Sequence, residues 1–181
     1  MAENVRHLFF TGEKGVGKST LVKKSIERFE GGVGGFLTVK SEKVFPGKSS
    51  LHLLSLRCPL IPSAENFLTF CGEQNEETAG RFDRLGCAAL SDIRGVDLLI
   101  MDELGPHETE ALLFRKAVLG SLDGSVPVLG VLQKADSPFL SEIRSRPDVE
   151  VLEVTHGNRD EFFSAAFREN MIRVFGRRNS C

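Results

Sequence analysis

The chain of 181 residues contains neither tryptophan nor tyrosine, so any stacking on a planar ring must come from Phe, His or Arg. It has no basic surplus: 23 Lys and Arg stand against 25 Asp and Glu, a formal net charge of −2 with a pI near 6.1. That balance gives no broad positive field and argues against nucleic acid or an anionic membrane as the main partner. No stretch is long and apolar enough to span a bilayer, and the run Leu8 to Phe10 is too short for the h-region of a secretory signal. The four cysteines, Cys58, Cys71, Cys87 and Cys181, lack C-x-x-C spacing and read as reduced thiols in a cytoplasmic protein, Cys87 as a small core residue inside a helix. Internal repeats and low-complexity tracts are absent. The length suits one domain over residues 1–181, able to bury most of its apolar surface without metal or disulfide staples. A monomer or weak oligomer is expected.

What is present is concentrated near the start. Gly12-Glu13-Lys14-Gly15-Val16-Gly17-Lys18-Ser19-Thr20 fits the pattern G-x-x-x-x-G-K-[ST], with an apolar strand before it and a helical stretch after it. Glycines at 12, 15 and 17 let the backbone turn tightly and aim successive N–H groups inward, making a nest for a chain of phosphates at a helix N-terminus. Lys18 supplies a mobile positive charge for the outer phosphates, and the Ser19 hydroxyl is placed to hold magnesium.

Apolar spacing gives the rest of the order. Val5 to Phe10 reads as a buried strand and Ser19 to Phe29 as a helix, which the run Gly31 to Gly35 breaks before a short strand at Phe36 to Val39. Lys40 to Ser50, with Pro46-Gly47, reads as a turn or exposed hairpin tip, and Leu51 to Leu56 as its returning strand. Pro59 to Glu77 is irregular apart from a brief strand at Phe67 to Phe70. A helix follows at Ala79 to Ile93, a strand at Val96 to Met101, and a helix at Thr109 to Leu122. Then come a strand at Val126 to Leu132, a helix at Pro138 to Arg144, a strand at Val149 to Val154 and a long helix from Asp160 to Phe175. Arg173, Arg177 and Arg178 read as a solvated helix end. The alternation predicts an α/β fold with a mostly parallel central sheet and helices on both faces, its chemistry beyond the carboxyl ends of the strands.

The strand Val96 to Met101 runs directly into Asp102-Glu103. An acid there can reach a metal held by Ser19, so Asp102 is expected to bind magnesium, mainly through its water, and Glu103 to accept a proton from an attacking water.

Four segments together resemble a known family: Gly12 to Thr20, Ala79-Gly80-Arg81-Phe82, Asp102-Glu103-Leu104-Gly105-Pro106-His107-Glu108, and Val154-Thr155-His156-Gly157-Asn158-Arg159-Asp160. In order and spacing they are similar to the nucleoside-triphosphatase family first described from thermophiles, to which the cancer-related nucleoside-triphosphatase also belongs. The resemblance implies a three-layer P-loop NTPase of RecA-like or P-loop-kinase-like fold. It also implies hydrolysis of the terminal phosphate of several nucleoside triphosphates, ATP and GTP among them, with magnesium.

The chain departs from the family at three places. Thr38 to Lys43 carries lysines and no arginine, His107 stands where methionine is more common, and Leu56 to Asn75 matches poorly. A further cation for the phosphates is sought first at Arg81, then at Arg84 and Arg159, and Arg159 suits a place beside the base or ribose. Glu108 reads as an anchor for the turn or a cap of the following helix. Gln133-Lys134-Ala135-Asp136 is one residue from the N-K-x-D box of GTPases, so guanine selectivity stands against a loop that simply starts the next helix. Two other functions fit the same parts. One is a kinase for a small acceptor or nucleoside, which would need an arginine-rich lid. The other is a slow nucleotide-dependent switch or assembly protein using the 40–50 tip and the 56–75 segment.

Overall fold

The computed structural model describes residues 5–73, 76–106, 110–162 and 164. His107, Glu108, Thr109 and Cys181 lie outside the described residues, as do the three C-terminal arginines and most of the helix expected from Asp160.

The strands are β1 (His7–Thr11), β2 (Val33–Ser41), β3 (Ser50–Ser55), β4 (Phe67–Phe70), β5 (Leu98–Leu104), β6 (Val128–Leu132) and β7 (Val149–Glu153). They form one seven-stranded sheet in the order β4-β3-β2-β5-β6-β1-β7. β2, β5, β6, β1 and β7 run parallel. β3 and β4 extend the sheet as an antiparallel hairpin from β2, with Ser41 opposite Ser50. The expected tip over Lys40 to Ser50 is therefore a hairpin tip. The margins of the sheet are β4, four residues long with an irregular pairing beside Leu51 and His52, and β7, which carries Glu150 and Glu153.

Side-chain alternation along the strands sorts the core into two layers. Leu8 and Phe10 of β1, Leu98 and Ile100 of β5, and Leu129 and Val131 of β6 face Leu21 and Val22 of helix α1 (Lys18–Ile26). Phe9, Leu99, Met101 and Val128 face the other way, towards α2 (Glu76–Ser91), α3 (Leu112–Asp123) and α4 (Pro138–Arg144). Phe114 of α3 is the hub of that second layer, with ring centres 5.6 Å from Phe36 and 5.5 Å from Phe82. Each such fully buried side chain contributes roughly 1.5–3 kcal/mol. A short helix α5 (Arg159–Phe162) returns to the first layer, where Phe162 meets Phe10 edge-on at 5.7 Å. Helices thus cover both faces, as expected. Among the described residues, no helix is long and apolar enough to cross a membrane.

One expectation fails in an informative way. The run Gly31 to Gly35 does not merely break the first helix, because Gly34 and Gly35 lie inside β2. Gly35 has φ +91°, and a Cβ there would stand 2.0 Å from the Ile100 carbonyl oxygen. β2 and β5 approach more closely at this point than any side chain would allow.

The first part of the poorly matching segment, 57–66, is tied to β3 through His52, which is fully buried. Its ring nitrogens lie 2.8 Å from Ser50 Oγ and 2.9 Å from Asn66 Oδ1. Asn66 accepts from the Ser63 N–H and donates to the Ile61 carbonyl, so one amide pins the 57–66 loop to β3. Phe45 caps the hairpin by packing on Phe67 and Phe70 at 4.9 and 5.2 Å.

At the amino end of the parallel strands, Asp148 accepts from Arg146 and Arg6, which hold its carboxyl well below the usual carboxylate range. His7 is buried beside this cluster, and its Nδ1 accepts from the Val128 N–H at 3.1 Å.

Candidate functional site

β1 ends at Thr11, and the chain turns through Gly12, Gly15 and Gly17 with φ of 138°, 82° and 110°. These are left-handed or extended-positive conformations that only glycine adopts without strain. Gly12 has a second reason to be glycine, since a Cβ would lie 2.2 Å from the Val154 carbonyl oxygen just past β7. The Val154 N–H in turn donates to the Thr11 carbonyl at 2.8 Å. The exit of β7 therefore backs the loop.

Helix α1 starts at Lys18 with Gly17 as its N-cap, which has no side chain to satisfy the first-turn N–H groups, and that turn carries no acid. Such an end suits an anion, by its orphan donors and its dipole together. Lys18 Nζ donates to the carbonyls of Gly12 and Glu13 at 2.7 and 2.8 Å, which folds the side chain back along the loop. Desolvation lowers its pKa, opposed by the nearby charges of Glu103, Glu13 and Asp102.

The acidic pair sits where the sequence puts it, across β6 from the loop strand. Ser19 Oγ donates to Asp102 Oδ1 at 2.9 Å. Asp102 is fully buried, and its Oδ2 has no hydrogen-bond partner among the described residues. Burial pushes its carboxyl up to about 6, against the downward pull of the Ser19 hydrogen bond. From β2, Thr38 Oγ1 donates to the Asp102 carbonyl at 2.8 Å. One hydroxyl and one carboxylate with an orphaned oxygen fit a small hard cation that keeps water and phosphate among its ligands. Among the described residues, no group of three or more His, Cys, Asp or Glu is suited to holding a metal by itself.

Glu103 is not simply the next residue of a strand. Met101 pairs with Gly130 and Leu104 with Leu132, so three steps on β5 oppose two on β6. The extra residue makes a bulge at Asp102-Glu103, and Glu103 is the one non-glycine among the described residues with positive φ, at 71°. In a regular strand the two acids would point to opposite faces; the bulge re-aims the second.

The cations divide differently from expectation. Arg81, sought first as the extra cation, is not brought to the loop. It donates to the Leu68 carbonyl on β4 at 3.0 Å, pairs with Glu77 and lies over the Phe67 ring at 4.8 Å. β4 is five strand positions from β1, about 24 Å at the usual strand spacing. Arg84 is likewise turned towards the Glu65 carbonyl. Arg159 follows the turn that leaves β7, where its guanidinium lies 3.8 Å from Asp160. Asn158 organises that turn by accepting from the Thr155 N–H at 2.8 Å and donating to the Glu153 carbonyl at 2.9 Å. Lys134 reaches across the rim between Glu153 at 2.9 Å and Glu13 of the loop at 3.4 Å, and both partners raise its pKa. Sequence reasoning gave no role to the Thr38 hydroxyl, placed Gly105 only as part of the segment Asp102 to Glu108, and read Gln133 only within a near-match to a guanine box, whereas its Nε2 donates to Glu103 Oε1 at 3.3 Å.

A mostly parallel α/β sheet, a glycine loop running into a helix N-terminus and an acid at the end of a nearby strand define a P-loop NTPase. Comparison with known proteins narrows this. A family model described as NTPase matches residues 73–167. The chain is 32% identical over 157 residues to nucleoside-triphosphatase THEP1 of Methanosarcina acetivorans, covering 83% of this chain and 89% of that protein. It is 28% identical over 163 residues to the THEP1 of Natranaerobius thermophilus, covering 86% and 90%. Its fold superposes on the crystal structure of THEP1 from the hyperthermophile Aquifex aeolicus with a TM-score of 0.69 at 24% identity, over 94% of this chain and 99% of that one. The chain belongs to the THEP1 nucleoside-triphosphatase family.

Proposed function

We propose that the chain hydrolyses nucleoside triphosphates, ATP, GTP and others, to the diphosphate and inorganic phosphate. The observation that carries this reading is the 2.9 Å bond from Ser19, in the first turn after the glycine loop, to the buried Asp102 with its orphaned oxygen. Residues Gly12 to Thr20 cradle the phosphates through their N–H groups, and Lys18 leaves the Gly12 and Glu13 carbonyls to meet the outer phosphate oxygens. Ser19 and Asp102 would hold magnesium, which supplies charge neutralisation on the phosphate oxygens. Water attacks the terminal phosphorus, the bond from that phosphorus to its bridging oxygen breaks, and Glu103 takes the proton from the water. Arg159, on the rim past β7, serves the base or ribose.

The family membership and the order of loop and acids support hydrolysis over transfer to a small acceptor, and an arginine lid is not found among the described residues. We place the protein in the cytoplasm as a single-domain monomer or weak oligomer, in keeping with the unpaired Cys58, Cys71 and Cys87. The test is phosphate release from a panel of nucleoside triphosphates with and without magnesium, on the wild type, Lys18→Ala and Glu103→Gln. Lys18→Ala is expected to lose nucleotide binding, and Glu103→Gln to bind but turn over at least 100-fold more slowly. Unchanged turnover in Glu103→Gln with nucleotide bound removes Glu103 as the base. Equal rates with ATP and GTP rule out selection of guanine.

A further inference from the structure

We propose that Gln133 is a positioning residue that fixes the carboxylate of Glu103 in the orientation needed to take a proton from water. The inference rests on the reading of Glu103 as the base. It is carried by three features that meet at one place. The first is the bulge, which puts Glu103 in the left-handed region at φ 71°, a conformation a glutamate keeps only where its surroundings enforce it. The second is the donor: a carboxylate only accepts, so the Gln133 amide nitrogen faces Glu103 Oε1 at 3.3 Å, leaving Oε2 to receive a proton. The third is the space made for that amide. A Cβ on Gly105 would stand 2.6 Å from Gln133 Cδ and 2.8 Å from each of its terminal atoms, so Gly105 leaves the volume the amide fills.

The backbone of Gln133 is held as firmly as its side chain is aimed. Its N–H donates to the Leu104 carbonyl at 2.8 Å, next to the bulge itself. Its carbonyl accepts from Arg144 Nη2 at 2.8 Å, while Arg144 Nη1 takes the Ala135 carbonyl at 3.0 Å. Two strand ends, β5 and β6, and the end of α4 thus fix the backbone of Gln133, while its side-chain amide donates to the proposed base. An arrangement that served the turn alone would need the backbone bonds and not the amide. A carboxylate free to rotate about its last torsions spends most of its time misaimed, and an error of about 1 Å can cost roughly a hundredfold.

The experiment is a cycle of Gln133→Leu, Glu103→Gln and the double variant, read as kcat for ATP hydrolysis, KM, the Kd of a non-hydrolysable ATP analogue, and Tm. Gln133→Leu is expected to lower kcat about 10- to 100-fold with KM and Kd within about twofold. Because Gln133 acts through Glu103, the double variant is expected to be no slower than Glu103→Gln alone. Gln133→Glu, close in shape but repelling Glu103, carries the same test if the leucine variant does not fold, and Gln133→Asn is expected to recover less than the wild-type rate because its amide is one carbon shorter. Unchanged kcat in Gln133→Leu overturns the proposal, and so does a loss that multiplies on top of Glu103→Gln. If Glu103→Gln itself turns over normally, the base reading has failed first, and that failure is separate from the other two.

Discussion

Ser19 and Asp102 are 83 positions apart in the chain, yet the hydroxyl of one donates to the carboxylate of the other at 2.9 Å. The bond joins the first turn of α1 to the end of β5 across the intervening β6, and it satisfies only one of the two oxygens of a fully buried acid. An acid in that position is a charge the fold must tolerate.

The tolerance has a pH window. Burial raises Asp102 from an ordinary 3.8 to about 6, so the fold favours the protonated form. That contribution is fully present below about pH 3.8 and is lost as pH rises through 6, amounting to about 3 kcal/mol above it. Asp102→Asn, which still accepts from Ser19, is expected to be more stable than the wild type by about 1–3 kcal/mol at pH 8 and to match it near pH 4, by urea unfolding. Magnesium is expected to raise Tm of the wild type at pH 8 and not that of Asp102→Asn. A metal-dependent shift surviving in the variant would show that the cation sits elsewhere.

His7 titrates with the opposite sign. Burial lowers it from 6.5 to about 4, so the fold favours the neutral ring whose Nδ1 accepts from the Val128 N–H. Its contribution is complete above pH 6.5 and is lost as pH falls through 4, again about 3 kcal/mol. Measured between pH 7 and 4, the stability of His7→Asn is expected to fall less steeply than that of the wild type by about this amount. Parallel curves would mean that His7 already carries a proton in the folded protein.

Gly35→Ala is expected to cost about 2–4 kcal/mol, since the methyl would overlap the Ile100 carbonyl and the backbone would have to leave φ +91°. Equilibrium unfolding measures it directly. A cost under about 0.5 kcal/mol would show that β2 can move away from β5 freely.

Arg81→Met tests a role the sequence suggested and the fold did not supply. Loss of the Leu68, Glu77 and Phe67 contacts is expected to lower stability by about 1 kcal/mol with kcat within twofold of wild type. A tenfold loss of kcat would return the arginine to the chemistry.

These cases mark what could be read from the chain and what could not. The nearness of Ser19 to Asp102 was legible because the glycine-loop pattern fixes residue types at set spacing, and a strand leading into an acid places that acid at the same rim. Most elements followed from apolar periodicity, and α4 was read to the residue because Ser137-Pro138 marks its start chemically, with Ser137 Oγ accepting from the Leu140 N–H. Gly34 and Gly35 misled because a close approach between strands looks, in one dimension, like a helix breaker. Arg81 misled because a position at the start of a helix says nothing about which of seven strands lies beneath it. The bulge at Glu103 and its partner Gln133 left no trace in spacing: both depend on how β5 registers against β6, a relation between segments far apart in the chain.

The two margins of the sheet also bear on how the molecules treat one another. Unpaired strand edges are templates that a neighbouring chain can extend. Here one edge is only four residues long and joined irregularly to its neighbour, and the other sets two glutamates among five residues. Among the described residues the sheet therefore offers a second copy no long, flat, uncharged seam on which to lay down a ladder.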